Sequence, residues 1–387
     1  MDTLKNVANA IAQKLPSTLR KENDPNAILD LGDIPKVREA RLLATGGYNS
    51  VWLVKLHQPL QVSQFVSESS ATTTSQTITQ SIDITNNLPV SRFVLRLPGE
   101  GCLLPQQITN DVAFKRFVAK RLPHIPVPQV YLYQATHHAD TSFIVEEYID
   151  CPTISSTWMS RPHSQKENLA QALAKILVDL AEVQFDMIGG LDPADWSLAP
   201  TVEGCKLFKG RGQFHRNECY PIGPYKSTKE YILSCYDREI YYYTHATDED
   251  IDADLFTDIS VHDFVEELRM KQKALSETDI ADEPFVLVHG DFHGRNILAR
   301  GDQITAVLDW DFAGSYPLSE TLSYGDVDVV DMESEELYNE NLKWGRKIRD
   351  FVQQEAVRRS WDKSRIELLM GDGNSELGVA RMEMFPE

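Results

Sequence analysis

One stretch constrains this chain more than any other: Val286-Leu-Val-His289-Gly-Asp291-Phe-His-Gly-Arg-Asn296-Ile-Leu, followed by Ile304-Thr-Ala-Val-Leu-Asp309-Trp-Asp311. Three aliphatic residues lead into a polar loop and Ile297 and Leu298 lead out of it, which predicts a loop hung between two short buried strands. Gly301-Asp302 turns the chain into another strand, Ile304 to Leu308, whose end delivers Asp309. Asp291, Asn296 and Asp309 are thereby presented from adjacent strand ends, where three oxygen donors can converge on one small volume. Such a set suits magnesium, a hard cation that takes one or two carboxylates together with phosphate oxygens and keeps several waters. A carboxylate not consumed as a ligand can accept a proton from an attacking hydroxyl. Taken singly, His289 reads as a buried core histidine and the two aspartates as turn residues. Their joint spacing is what favours a catalytic loop.

A chain of 387 residues exceeds the usual size of a single core, so two domains are expected. Its 38 basic and 58 acidic side chains leave a formal charge of −20, which argues against nucleic acid, whose phosphates need clustered Lys and Arg. The same acidity attracts cationic small molecules. Cys102, Cys151, Cys205, Cys219 and Cys235 are odd in number and show no close metal-type pairing, so they read as reduced thiols of a cytoplasmic protein. No apolar run approaches the ~18 residues that span a bilayer, and no membrane association is expected. Leu4, Val7, Ala8, Ile11 and Leu15 have helical spacing; an N-terminal helix packed on the body is the favoured reading, a transit peptide the other.

Along the chain, Glu39 to Thr45 and Ser50 to Leu56 read as strands joined at Gly46-Gly47, where backbone N–H groups can approach phosphate oxygens. Residues 61–91 are rich in Ser, Thr and Gln and read as a long mobile insertion with too little apolar material to pack. Ser91 to Leu97 resumes as a strand, with Phe93 and Leu95 on one face and Val94 and Arg96 on the other. A helix over Ile108–Arg121 carries Asp111 on its first turn, where it can pair with a strand cation or favour the helix dipole. Val130 to Ala135 and Ser142 to Ile149 complete an expected five-stranded small lobe. Leu169, Leu173, Ile176, Leu177, Leu180 and Val183 mark a core helix, and Lys226 to Ala246 a helix with an aromatic face that reads as core. Acidic segments at 248–258 and 326–336 read as solvated faces or, for a cationic substrate, as lining for an acceptor groove. The expected divisions are an N-terminal helical extension over 1–35, a nucleotide-binding lobe over 36–150 and a catalytic, acceptor-binding lobe over 151–387.

In order and spacing, Asp291, Asn296 and Asp309 resemble the protein-kinase catalytic loop and the metal-binding aspartate after it. His289-Gly-Asp291 and Asp309-Trp310 are more particular: they resemble the aminoglycoside phosphotransferase and choline kinase branch of small-molecule kinases. Ile125-Pro-Val-Pro128, Phe185-Asp-Met-Ile-Gly189-Gly-Leu and Asp311-Phe-Ala-Gly-Ser-Tyr-Pro-Leu resemble the fungal-type phosphotransferases, and the likeness runs from Leu42 to Ser323. The resemblance implies a two-lobed, protein-kinase-like α+β fold, ATP with Mg2+, and transfer of the γ-phosphoryl group to a hydroxyl of a small-molecule acceptor. It implies Asp291 as base in a catalytic loop with His289, Asn296 and Asp309 as metal ligands, and Arg96 on the phosphates in place of the usual lysine. Asp111 would orient Arg96. Gly46, Gly47, Asn49 and Ser50 would cover the nucleotide, and Glu147, Tyr148 and Ile149 would form the adenine hinge. A nucleotide-binding protein without strong activity is the competing class. No Ala-Pro-Glu segment follows Asp309, so nothing reads as built for a peptide acceptor, and no obligate protein partner is inferred.

Overall fold

The computed structural model describes residues 4–14, 28–29, 37–61, 78–81, 89–99, 101–194, 196–199, 210–247, 250–322, 327–371 and 375–386. The chain divides after Asp150 into two units, Met1–Asp150 and Cys151–Glu387.

In the first unit the elements run α1 (Leu4–Lys14), β1 (Ile28–Leu29), β2 (Val37–Thr45), β3 (Asn49–Gln61), β4 (Ile78–Ser81), β5 (Pro89–Pro98), α2 (Gln106–Arg121), β6 (Val130–Ala135) and β7 (Phe143–Glu147). The strands form one sheet in the order β1-β2-β3-β5-β7-β6-β4, antiparallel at every pairing. Period-two alternation gives the sheet two apolar faces. On one, Trp52, Phe93, Leu95 and Val145 share a core with Val7, Ala8, Ile11 and Ala12 of α1, so the N-terminal helix packs on the sheet. On the other, Ile108 and Val112 of α2 cover Val130, Tyr133 and Ile144.

Two expectations change here. The sheet has seven strands rather than five, and residues 61–91 are not one unstructured insertion. Gln61 ends β3, Pro89 opens β5, and β4 pairs Ile78–Ser81 with Leu132–Ala135 of β6; the rest of that segment lies outside the described residues. An edge strand is held by its backbone ladder, so a Thr- and Gln-rich composition does not disqualify it. Secondly, α2 begins at Gln106, directly after Pro105, a residue suited to helix starts. Asp111 therefore lies on the second turn, away from the dipole end.

The second unit runs α3 (Ile154–Thr157), α4 (His163–Ala181), β8 (Gln184–Phe185), β9 (Gly190–Leu191), β10 (Leu198–Ala199), α5 (Thr228–His245), α6 (Val261–Glu277), β11 (Phe285–Val288), β12 (Ile297–Arg300), β13 (Gln303–Val307), β14 (Gly314–Pro317), α7 (Glu335–Arg358), α8 (Lys363–Leu369) and α9 (Ser375–Ala380). Helices carry most of it, with β11 between β14 and β8 in a small sheet and β12–β13 as a hairpin. Tyr231, Tyr236, Tyr242 and Tyr243 of α5 are buried, so that aromatic face is core. Glu335 and Glu336 occupy the first turn of α7 behind the Ser334 cap, where the helix dipole favours negative charge. Asp248, Glu249 and Asp326 of the acidic segments lie outside the described residues. Among the described residues no helix is long and apolar enough to cross a membrane.

Candidate functional site

In the second unit the site grows from β11, whose four residues are all buried and whose end releases His289, Gly290 and Asp291. Gly290 sits at φ +81°, and a Cβ there would run into the Phe312 carbonyl. Glycine is required on both counts. His289 is 2 % exposed and uses both ring nitrogens: Nε2 donates to the Leu308 carbonyl at 2.9 Å and Nδ1 accepts the Asp291 N–H at 3.2 Å. The ring is therefore the neutral Nε2–H tautomer. Burial pushes its pKa from 6.5 down to about 4, against the pull of Asp291 and Asp309, because a charged ring would lose its water.

Leu308 is pinned twice, its carbonyl by His289 and its N–H by the Asn296 carbonyl at 2.7 Å. Directly after it, Asp309 is held at φ +59°, a left-handed conformation that costs a residue with a Cβ about 1–3 kcal/mol and persists only where its surroundings fix it. Trp310 fixes them from the other side. It is fully buried, its indole N–H donates to the Val307 carbonyl at 3.1 Å, and its ring lies 4.5 Å from that of His289. Oxygens of the Asp309 and Asp311 carboxylates lie within 4.8 Å of each other. Asp311, 4 % exposed, was not singled out as a ligand from the sequence. Its signal was the Asp-x-Asp spacing at a strand end.

Asn296 Nδ2 donates to Asp291 Oδ2 at 2.8 Å and to the Asp291 carbonyl at 3.0 Å, turning the amide oxygen away from Asp291. Arg295 Nη2 donates to Asp291 Oδ1 at 3.2 Å, and His293 Nε2 lies 3.0 Å from the same oxygen. Burial pushes the Asp291 carboxyl up, but His293 and Arg295 outweigh it and hold it down at about 2. Gly294 seals the loop: its N–H donates to the Asp328 carbonyl at 2.7 Å, and a Cβ would collide with the Val329 carbonyl. Asn341 of α7 holds that segment in turn, accepting from Val329 N and Val330 N at 2.9 and 3.0 Å. The donor set of an Asn amide oxygen and the Asp309 and Asp311 carboxylates is all hard oxygen, which fits magnesium.

In the first unit Arg96 and Asp111 meet directly, Nη1 to Oδ1 at 3.2 Å, so Asp111 pairs with the strand cation. Two residues not foreseen as partners complete the group. Lys115 Nζ donates to Asp111 Oδ2 at 2.7 Å and to Glu146 Oε2 at 2.6 Å, and all four side chains are buried. Burial alone would lower the Lys115 pKa, but Asp111 and Glu146 outweigh it and raise it. The i,i+4 spacing of Asp111 and Lys115 was the available signal.

Gly46 and Gly47 lie in the β2–β3 turn, where Gly46 N–H donates to the Asn49 carbonyl at 2.8 Å. Neither glycine takes a positive φ, so what they offer is open space. Asn49 begins β3, whereas Ser50 is buried and its hydroxyl accepts from the Trp52 indole at 3.0 Å. Glu147 ends β7 and exchanges bonds with Gln129. Tyr148 lies under the Arg92 guanidinium at 4.9 Å and donates to Asp150 at 3.3 Å, and Ile149 is half-buried.

The chain is similar in structure to a thermostable mutant of aminoglycoside phosphotransferase APH(4)-Ia crystallised with AMP-PNP and hygromycin B: 15 % identity, 89 % of this chain and 91 % of that one covered, TM-score 0.44. The streptomycin–ATP–APH(2")-IIa ternary complex gives 16 % identity over 88 % and 91 % with a TM-score of 0.37. No curated protein matches the chain. The model of the phosphotransferase enzyme family matches residues 83–324, the larger part of the sequence and the whole stretch from His289 to Asp311, and the chain belongs to that family.

Proposed function

We propose that the protein is an ATP- and magnesium-dependent phosphotransferase that moves the γ-phosphoryl group to a hydroxyl of a small-molecule acceptor. The observation that carries this reading is the double pinning of Leu308 by His289 and Asn296. On this reading it would hold a carboxylate base, Asp291, and a separate set of oxygen ligands on one frame. Family membership supports the same reaction class. Asn296, Asp309 and Asp311 would hold the metal, which when bound neutralises phosphate charge. Asp291 accepts the hydroxyl proton as that oxygen bonds to the γ-phosphorus and the bond to the β–γ bridging oxygen breaks, ADP leaving with the electron pair. His289 touches none of the reacting atoms; it keeps Asp291 and Asp309 in register. Arg96, anchored by Asp111, would supply the cation for the nucleotide phosphates. The formal charge of −20 favours a cationic acceptor.

Two measurements test this. Asp309→Ala should weaken Mg-ATP binding in calorimetry; equal affinity in both proteins would remove Asp309 from the metal site. Incubating the protein with Mg-ATP and a panel of aminoglycosides and other hydroxylated metabolites should give a product heavier by one phosphoryl group. A panel that stays unmodified while ATP is consumed would point to water or an untried acceptor class.

A further inference from the structure

His293 lies along the chain between Asp291 and Asn296 and has no part in the reaction as described so far. It caps the short 3₁₀ turn Gly294–Asn296, its Nδ1 accepting the Arg295 N–H at 3.3 Å. That bond fixes the tautomer of the neutral ring, so the proton is on Nε2. Nε2 is buried, and among the described residues no acceptor lies along its N–H. The nearby Asp291 Oδ1, 3.0 Å away, feels this N–H electrostatically, which helps hold its carboxyl down, but it lies off the line of a hydrogen bond and already accepts from Arg295, while Oδ2 accepts from Asn296. A buried donor without an aligned acceptor costs about 1–3 kcal/mol and calls for an explanation. Capping does not supply one. Asn, Asp or Ser caps a helical turn better than histidine and leaves no second nitrogen behind.

We propose that His293 is a further catalytic residue whose Nε2–H donates to an oxygen of the transferring phosphoryl group. This rests on the phosphotransferase reading above. The group that surrenders its proton to Asp291 must lie against Asp291, and so must the phosphorus it attacks; a fixed N–H 3.0 Å from that carboxylate stands beside both. A preset donor aimed where negative charge gathers stabilises the transition state without reorganising. The imidazole keeps its proton throughout, since Asp291 takes the one released.

The two nitrogens separate by substitution. Asparagine reaches as far as Nδ1 and keeps the cap but loses the distal donor; glutamine reaches as far as Nε2 and keeps the donor but loses the cap. The assay is magnesium-dependent phosphate release from ATP by the full chain with water as acceptor, alongside thermal melting. His293→Asn should melt like the unmodified protein, with KM for Mg-ATP little changed and kcat lower by about 10², the usual effect of removing one such donor. His293→Gln should retain most of the rate despite a lower melting temperature. An Asn variant that keeps the rate, or a folded Gln variant as slow as Asn, overturns the donor role and leaves His293 a cap. Release that is independent of magnesium and unaffected by Asp291→Asn overturns the phosphotransferase reading itself, and this inference with it.

Discussion

As the proposed base, Asp291 is unusual by acidity alone, since its carboxyl is held at about 2 and a weak base takes a proton only when the hydroxyl is already well advanced in its attack. That suits phosphoryl transfer through a loose transition state, where positioning and charge stabilisation do most of the work. Asp291→Asn should lower the transfer rate by about 10²–10⁴ with Mg-ATP affinity nearly unchanged, read by comparing kcat with KM. Because Asp291 stays ionised far below neutrality, the rate should show no Asp291 step between pH 5 and 8; a step there that vanishes in the Asn variant would contradict the assignment. The stability Asp291 contributes is present above the ordinary carboxylate value of ~3.9 and fades only as pH falls through about 2. His289 acts in a different window. Its folded value near 4 lies below the ordinary 6.5, so the unfolded chain binds the extra proton first, and stability present above 6.5 is lost as pH falls toward 4. The full shift is on the order of 3 kcal/mol. Urea unfolding at pH 7 and pH 4.5 should show this loss, and His289→Gln, which cannot titrate, should flatten it.

Among the elements, β5, α2 and β7 are tied by the buried run Arg96–Asp111–Lys115–Glu146. Asp111 carries two cations, so Asp111→Ala should destabilise by about 3–5 kcal/mol, the scale for stranding buried charge. A loss nearer the ~0–1 kcal/mol of surface pairs would mean the group opens to water. The loop from His289 to Asn296 has its own tie, Gly294 against Val329. Gly294→Ala should force the Val327–Val330 segment off the loop, costing about 1–3 kcal/mol by overpacking, together with activity. Unchanged melting and turnover would show that the segment yields freely. Deleting residues 64–86 removes β4 as well as its flanks and bares the edge of β6. The expected outcome is therefore a lower melting temperature, since loop shortening by itself changes closure entropy only slightly.

At the scale of the whole molecule, the kinase-like α+β fold joins a mainly β first unit to a mainly helical second one. Both the class and the main strands of the sheet were legible in the sequence. Strands such as Glu39 to Thr45 and Ser91 to Leu97 alternate apolar and polar residues, and helices such as α4 and α5 repeat their apolar residues at helical spacing. The two-residue β1 and the polar β4 were not legible, because they are held by pairing to a neighbour already in place rather than by any pattern of their own. Alignment to that neighbour exists only after β2 and β6 have folded.

By itself the sequence determined the order Asp291, Asn296, Asp309 and their delivery from successive strand ends, since strand–loop–strand geometry is local and counts residues. Tertiary structure alone decided which charges meet. Lys115 finds Glu146 across thirty-one positions and Gly294 finds Val329 across thirty-five, distances that no periodicity encodes. A buried charge must find a partner wherever the packed elements put one, because leaving water uncompensated costs several kcal/mol. The same desolvation sets the two titrations at the site, lowering His289 outright while neighbouring donors reverse its effect on Asp291. Those directions follow from depth and neighbours, which exist only once the chain has closed around them.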